Sequence, residues 1–298
     1  MPSPKSAAGK AHVITEGLAF GESPRWHGGR LWLCNWGTGE IVAVDEDGKS
    51  EIMLTVPAVL PYSIDWLPDG RLLVVSGREG LVLRQEADGT LVTHADLRGL
   101  SKNPWNEIVV DGRGNIYVNG GGPAPAAGEH FGPGTIVLIT LDGAVRQVAE
   151  NIAFANGMVV MPDNKTLIVA ESYARRLTAF DIAEDGSLSS RRVWADLGND
   201  YPDGICLDAE GCVWYADVPN RHCVRVREGG MKIDRVEVDR GCFACMLGGA
   251  DGRTLFIAAA EWRGFEHMVS DARTGQVLSV AVSVPGAGWP SYNSGTRW

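Results

Sequence analysis

One pattern recurs six times along the chain: an apolar strand, a tight turn containing Gly or Asn, and a second apolar strand. Further apolar strands lie between these hairpins and bring each unit to four strands. The unit length of about 40 to 50 residues and its four strands are typical of a β-propeller blade. The sequence therefore predicts an all-β fold, a six-bladed β-propeller. The second strands of the six hairpins begin at Leu31, Leu72, Ile116, Leu167, Val213 and Leu255.

The two ends of the repeat predict how the ring closes. Residues 11–20 and 276–286 are spare strands, and pairing one into the other's blade would remove the free edges. We expect one propeller domain over residues 13–290, a disordered N-terminal segment over 1–12 and a C-terminal tail over 291–298. A two-domain β-sandwich is the structural alternative, but it does not explain six hairpins at one spacing.

Charge and composition narrow the class of partner. The 298-residue chain has a net charge of −10, so it presents little attraction for nucleic acid or an anionic membrane. It contains no apolar run long enough to cross a bilayer, and its N-terminus lacks the apolar core of a signal peptide. We expect a cytoplasmic monomer or homo-oligomer that acts on a small molecule. Cys242 and Cys245 form a lone CxxC, for which a zinc or redox site is the alternative to buried strand residues.

The repeat also predicts a ring of polar side chains. The first strand of each blade lines the central channel, so residues at equivalent positions surround the axis. Five of the six residues that lie five positions before the hairpin turn can present an oxygen, and two are carboxylates. Such a set suits a hard divalent cation, and the absence of His and Cys disfavours zinc or copper. The six residues are Glu22, Ser63, Asn106, Asn156, Asp203 and Ala244.

Two members of this ring have an alternative interpretation. Asn156 and Asp203 each precede a glycine, and Asn-Gly and Asp-Gly are common turn pairs. Independent turns need not align with the blade repeat, however. The shared register therefore favours a central metal site, with Asp203 kept at a strand mouth because a cation neutralises it.

The rim of the channel carries the candidate substrate contacts. Residues 119–134 form a Gly- and Pro-rich insert that is long enough to fold over the channel mouth as a lid, with a plain surface loop as the alternative. Glu129 and His130 are two of its few large side chains and are expected to touch substrate. Tyr62 and Trp105 lie next to ring positions, where they form either apolar walls of the site or packing between blades.

At these positions the chain resembles the family of senescence-marker protein, gluconolactonase and luciferin-regenerating enzyme. The stretches that carry the resemblance are 21–26, 105–118, 155–172, 201–216 and 245–258. The resemblance implies a six-bladed propeller with an axial divalent metal, commonly calcium, with Zn²⁺, Mn²⁺ and Mg²⁺ as alternatives. By motif position, Glu22, Asn156 and Asp203 would be metal ligands and Asn106 would lie close to the metal or substrate. Asp203 would also be the acid/base residue.

Two positions depart from the pattern of the sugar-lactone members. Those proteins tend to carry an arginine two residues before the Asn of the third blade and an aspartate just after it, where this chain has Pro104 and Glu107. Glu107 is therefore a further candidate substrate contact.

The function predicted is a metal-dependent hydrolase that opens a small lactone, with sugar lactones among the candidates. The chain has no GxSxG, HExxH or GxxxxGK[ST] motif, which disfavours a serine hydrolase and a P-loop enzyme. Other chemistry on the same metal ring and a non-catalytic, metal-stabilised binding platform remain the alternatives. Direct attack by the Asp203 carboxylate competes with water activation as the mechanism.

Overall fold

Six four-stranded antiparallel sheets make up the chain, which confirms the predicted six-bladed β-propeller. The computed structural model describes residues 9–58, 60–123, 132–264, 267–268 and 272–290. Within these ranges no helix is long and apolar enough to cross a membrane.

The blades follow the chain in order. Blades 1 to 5 consist of β2–β5, β6–β9, β10–β13, β14–β17 and β18–β21, and blade 6 of β22, β23, β24 and β1. The strands are β1 (His12–Leu18), β2 (Gly21–His27), β3 (Arg30–Asn35), β4 (Glu40–Val44), β5 (Ser50–Thr55), β6 (Tyr62–Trp66), β7 (Leu72–Ser76), β8 (Leu81–Gln85), β9 (Leu91–Asp96), β10 (Trp105–Val110), β11 (Ile116–Gly120), β12 (Gly134–Ile139), β13 (Val145–Ile152), β14 (Ala155–Val160), β15 (Thr166–Glu171), β16 (Arg176–Ile182), β17 (Leu188–Asp196), β18 (Pro202–Leu207), β19 (Val213–Asp217), β20 (His222–Val226), β21 (Lys232–Glu237), β22 (Gly241–Gly248), β23 (Thr254–Ala260) and β24 (Gly275–Ala281).

The ring closes through its two ends, as the spare strands predict. β1 pairs antiparallel with β24, so the N-terminal strand becomes the outermost strand of the last blade. Because β1 leads directly into β2, the innermost strand of blade 1, this pairing joins blade 6 to blade 1 and closes the ring. The innermost strands β2, β6, β10, β14, β18 and β22 each contact the next one around the axis.

Burial falls from the axis outwards. Innermost and middle strands are almost wholly buried, whereas the outermost strand β5 is exposed along most of its length. Strands buried on both faces are near-continuous apolar runs, because a polar side chain there loses its hydration. A polar residue on an innermost strand therefore needs a specific partner, and this makes the ring positions informative.

In blades 1, 4 and 5, a polar side chain at the end of the second strand holds the start of the first strand in place. In each case its oxygen accepts a backbone N–H just before that strand. The pairs are Asn35 with Ala19 and Phe20 (2.9 and 3.2 Å), Glu171 with Ala153 (2.8 Å) and Asp217 with Tyr201 (2.9 Å). These bonds satisfy backbone donors that the sheet leaves unpaired and hold the strand mouths in place.

The C-terminal segment crosses the opposite ends of two innermost strands. Trp289 exchanges two 2.9 Å backbone hydrogen bonds with Val160, the last residue of β14, and Ala287 N donates to Leu207 O at the end of β18. The segment is thus hydrogen-bonded to blades 4 and 5 on the face of the propeller opposite the ring residues.

Candidate active site

Four of the predicted ring residues line one cavity. Glu22, Asn106, Asn156 and Asp203 are each the second residue of an innermost strand, in blades 1, 3, 4 and 5. All four line a cavity of about 580 Å³ at the strand mouths. Four oxygen-bearing side chains from four separate sheets therefore face the same space.

Ser63 has the same strand position but is not among the described lining residues of this cavity. Its side chain is fully buried, and Oγ has no hydrogen-bond partner among the described residues. Ala244, the sixth member of the predicted ring, also lies outside the lining and offers no side-chain oxygen.

β-Bulges explain which ring residues reach the cavity. In blade 3, Trp105 faces Gly120 and Ile108 faces Val118, so Asn106 and Glu107 together oppose one residue. The same irregularity occurs at or just after the ring residue in blades 1, 4 and 5. The innermost pair of blade 2 is regular throughout. A bulge therefore accompanies each of the four ring residues that line the cavity, whereas Ser63 lies on a regular pair of strands; bulges redirect nearby side chains out of the pleat.

Gly157 and Gly204 are required by close packing of the innermost strands. A Cβ on Gly157 would lie 2.5 Å from Ile205 N, and one on Gly204 would lie 2.5 Å from Ala244 Cβ. The Asn-Gly and Asp-Gly pairs are therefore inside strands β14 and β18, and the turn interpretation is wrong. Glycine lets adjacent blades approach each other at the level of the ring.

The amide nitrogens of the two asparagines donate to the protein. Asn106 Nδ2 donates to Ala155 O at 3.2 Å, and Asn156 Nδ2 donates to Ser172 Oγ at 3.4 Å. The Ser172 hydroxyl in turn donates to Pro202 O at 2.7 Å. Each amide nitrogen is held by one donated bond, which fixes the side chain and leaves the amide oxygen able to act as a ligand.

The two cavity carboxylates have no cationic partner among the described residues. Burial raises the pKa of Glu22 to about 8, and the negative charge of Glu107 adds to the shift. Burial and the charges of Glu22 and Glu107 raise the pKa of Asp203 well above its ordinary range. Buried carboxylates are normally paired or bound to a metal. The oxygen-only donor set and this uncompensated charge fit a hard divalent cation.

Glu107 is engaged inside the protein. Its Oε1 accepts 3.0 Å hydrogen bonds from Arg25 Nη2 and Ser23 Oγ, and Arg25 Nη2 also donates to Ile108 O at 2.6 Å. Glu107 is not among the described lining residues. The structure thus gives no support to Glu107 as a substrate contact and identifies it as a carboxylate neutralised by Arg25 below the ring.

Tyr62 and Trp105 are fully buried and are not among the described lining residues either. The Tyr62 hydroxyl donates to Asn35 O and Glu40 O at 2.5 and 3.0 Å. Trp105 packs in the apolar cluster shared by blades 2 and 3. The structure favours the packing alternative for both residues. Glu129 and His130 lie outside the described residues.

Comparison with known proteins identifies the family. A family model described as the SMP-30/Gluconolactonase/LRE-like region matches residues 20–261, a span that contains all four cavity residues. The chain belongs to the SMP-30/gluconolactonase/LRE-like family. The resemblance that the sequence motifs carry is thereby confirmed.

Relatives of this chain are named as different kinds of protein, a lactonase in one case and regucalcin in others. The 6-deoxy-6-sulfogluconolactonase of Pseudomonas putida is 26% identical over 164 residues, 53% of this chain and 56% of that protein. Regucalcin of Xenopus laevis is 26% identical over 259 residues, 83% of this chain and 85% of that protein. The solved structure of calcium-binding regucalcin from Agrobacterium tumefaciens has a TM-score of 0.78 at 22% identity, covering 96% of this chain and 97% of that chain. This last likeness shows the shared fold.

A second acidic cluster in this family member was not predicted from the sequence. Asp200, Asp217 and His222 bring their ligand atoms within 4.8 Å of one another. Protein donors already occupy the cluster. Asp200 Oδ2 receives Lys232 Nζ at 2.7 Å and the Tyr215 hydroxyl at 2.6 Å. Asp217 of this cluster also accepts the hydrogen bond from Tyr201 N that holds the start of β18. These contacts give the cluster a structural role.

The CxxC cysteines lie in the core of this propeller. Cys242 and Cys245 are free thiols on β22 and are buried with Cys206 in the apolar cluster of blades 5, 6 and 1. The Cys206 and Cys245 sulfurs lie 3.9 Å apart. This placement agrees with the interpretation of the cysteines as buried strand residues.

Proposed function

We propose that the protein is a divalent-metal-dependent hydrolase that opens lactones. Glu22, Asn156 and Asp203 would hold the cation on the propeller axis, with Asn106 beside it. The observation that carries the proposal is that these four oxygen-bearing side chains, from four blades, line one cavity in which neither carboxylate forms an ion pair with a described residue. Membership of a family that includes lactonases supports it. Calcium suits two carboxylates and neutral carbonyl oxygens in a site without His or Cys.

Asp203 has the chemistry to move the proton. Its carboxylate oxygen accepts a proton from a water, whose oxygen bonds to the lactone carbonyl carbon; the ring C–O bond then breaks, and the proton held by Asp203 passes to the leaving oxygen. Burial and negative neighbours raise the pKa of Asp203 in the metal-free protein, and a bound cation would lower it again, so that the carboxylate is ionised and able to accept the proton. A bound divalent cation would supply Lewis-acid polarisation of the carbonyl.

Asn156 and Asn106 position the reacting groups. Asn156 is fixed through Ser172, and Asn106 through Ala155 O, so both amides are held by bonds to blade 4 or to the β18 entry. Ser23 positions Glu22, because its backbone N–H donates to Glu22 Oε2 at 3.1 Å. Groups held in this way need little reorganisation when the substrate binds.

The proposal is tested by metal content and by turnover with and without chelator. The protein purified without chelator should contain one tightly held divalent ion per chain, and elemental analysis measures this. Lactone hydrolysis, followed by acid release, should disappear after chelation and return on adding Ca²⁺. Turnover that survives removal of the ion would contradict metal dependence. A metal-loaded protein inert on every lactone would favour a binding platform or different chemistry.

A further inference from the structure

The described residues give the cavity a wall of mostly apolar surface. Leu60, Pro61, Pro104, Val218 and Met268 are among its aliphatic members. Aromatic side chains come from blades 1, 4, 5 and 6. The aromatic lining residues are Trp36, Phe154, Tyr173, Tyr201, Phe243 and Trp262.

Two aromatic groups face each other across the axis. Phe20 connects Trp36 to Phe243, with ring centroids 5.9 and 4.2 Å apart, and Trp262 lies 5.9 Å beyond Phe243. This group belongs to blades 1 and 6. On the opposite side, in blade 4, Phe154 and Tyr173 stack at 4.5 Å with an angle of 11° between the rings. An apolar body above the ring residues would therefore meet aromatic side chains from both groups.

Several polar groups of the wall are engaged within the protein. Trp36 Nε1 donates to Tyr62 O at 2.6 Å, and Arg78 Nε donates to Leu60 O at 2.8 Å. The Tyr201 hydroxyl accepts from Arg175, whose guanidinium also lies 4.6 Å from the Tyr201 ring centroid. The other guanidinium nitrogens of Arg78 and the Tyr201 O–H remain as donors, set in a described wall that is mostly apolar.

From this wall we infer that the substrate is a lactone with an apolar alkyl or aryl substituent. The inference rests on the proposed function. Its ester group meets the oxygen ring at the cavity floor, and its substituent lies between the two aromatic groups. A polyhydroxylated lactone would place several of its hydroxyls against apolar surface, which is unfavourable, whereas each buried methylene contributes favourably.

A homologous series of lactones tests the inference. With the calcium-loaded protein, kcat/KM should rise about fourfold per added methylene along γ-alkyl lactones until the cavity is filled. The aryl lactone dihydrocoumarin should be a better substrate than glucono-δ-lactone. A flat series, or a preference for glucono-δ-lactone, would overturn the inference.

The variant Phe154→Asn tests whether the apolar wall causes the rise of kcat/KM with alkyl chain length. Phe154 has φ 57°, which Asn adopts readily, so this substitution replaces the apolar face without adding backbone strain. It should lower kcat/KM for the longest alkyl lactone about tenfold more than for the parent γ-butyrolactone. Leu141→Asn, which removes an exposed apolar side chain outside the cavity, is the matched control and should change neither. Equal effects of Phe154→Asn on both lactones would count against the inference.

Binding of lactams separates this inference from the proposed function. γ-Alkyl lactams resist hydrolysis, and the quenching of Trp36 and Trp262 fluorescence reports their binding. If no lactone is turned over but lactam affinity rises about fourfold per methylene, the proposed function fails and the apolar cavity stands. Lactam affinity that is independent of chain length would reject the apolar substrate class, whatever the activity.

Discussion

Arg25 Nη2 lies 3.0 Å from Glu107 Oε1, and both side chains are more than 90% buried. This ion pair lies beneath the oxygen ring, close enough for Glu107 to raise the pKa values of Glu22 and Asp203. Of three mutually repelling carboxylates, only Glu107 has an internal counter-ion. The arrangement leaves two carboxyl groups at the cavity floor without an ion-pair partner among the described residues, and one divalent cation would neutralise both in their ionised forms.

Removing Arg25 should therefore destabilise the protein, because a buried carboxylate loses its counter-ion. Arg25→Met leaves Glu107 buried and unpaired, at a cost of roughly 3–5 kcal/mol in the free energy of unfolding. The double variant Arg25→Met/Glu107→Gln removes both charges and should cost clearly less. Urea denaturation in the presence of a chelator measures both. Both variants leave Asp65, 4.0 Å from Arg25 Nε, without this cation, so equal destabilisation would mean that lost packing of Arg25 or the loss of its charge beside Asp65, rather than an unpaired Glu107, is the cause.

The raised pKa of Glu22 predicts a pH dependence in the absence of calcium. Its pKa is about 8 in the folded protein and 4.5 ordinarily, so between these values the folded state holds a proton that the unfolded state has lost. The free energy of unfolding should therefore fall as pH rises from about 5 to 8, and Asp203 shifts in the same direction. Bound calcium favours the charged forms and should flatten this fall.

Calorimetry at pH 5, 6, 7 and 8, with chelator and with saturating Ca²⁺, measures the difference between the two slopes. Other titrating groups contribute to both conditions and cancel in this difference. Glu22→Gln should make the chelated protein less dependent on pH. Parallel slopes in chelator and in calcium would show that Glu22 and Asp203 do not titrate at the metal site.

Asp203→Asn should abolish turnover while the fold persists. Asn keeps the size of the side chain but cannot accept a proton, so kcat should fall by roughly 10²–10⁴. Asp142→Asn, at an exposed turn, is the matched control and should retain full activity. A single turnover in ¹⁸O-labelled water separates the two mechanisms. Label confined to the product acid supports water attack, whereas label in the Asp203 carboxylate supports direct attack by Asp203.

The fold and most of the ring follow from the sequence because both depend on local repetition. Hairpin turns and strand lengths recur with the blade, so the register placed Glu22, Asn106, Asn156 and Asp203 at one level of the innermost strands. Closure through β1 follows from the need to pair free edges.

The remaining features depend on contacts that repetition does not encode. Ser63 shares the register, but its strand lacks the bulge that reorients the other side chains. Glu107 finds its counter-ion in Arg25, 82 residues earlier in the chain. Gly157 and Gly204 directly follow two ring residues, Asn156 and Asp203. A close contact between neighbouring blades explains both glycines, but the sequence alone does not distinguish them from turn glycines.

Gly204 should tolerate no side chain. A Cβ there would lie 2.5 and 2.7 Å from Ala244 Cβ and Cα, so Gly204→Ala forces β18 and β22 apart and moves the adjacent Asp203. We expect a loss of roughly 1–3 kcal/mol in stability and weaker calcium binding. Gly99→Ala is the control, because nothing lies within 4 Å of its added Cβ. Thermal denaturation and calcium titration measure both variants, and a Gly204→Ala protein as stable as Gly99→Ala would refute the close-packing explanation.

Ser63→Ala tests whether the cation site has four members or five. The Ser63 hydroxyl is buried without a partner among the described residues, and removing such a group relieves a desolvation cost of roughly 1–3 kcal/mol. The variant should be at least as stable as the parent protein and should bind calcium with unchanged affinity. Asn156→Ala, at the equivalent position of a bulged strand, should weaken calcium binding at least tenfold. Isothermal titration of both variants distinguishes the cases, and a comparable loss in Ser63→Ala would make Ser63 a ligand despite its regular strand.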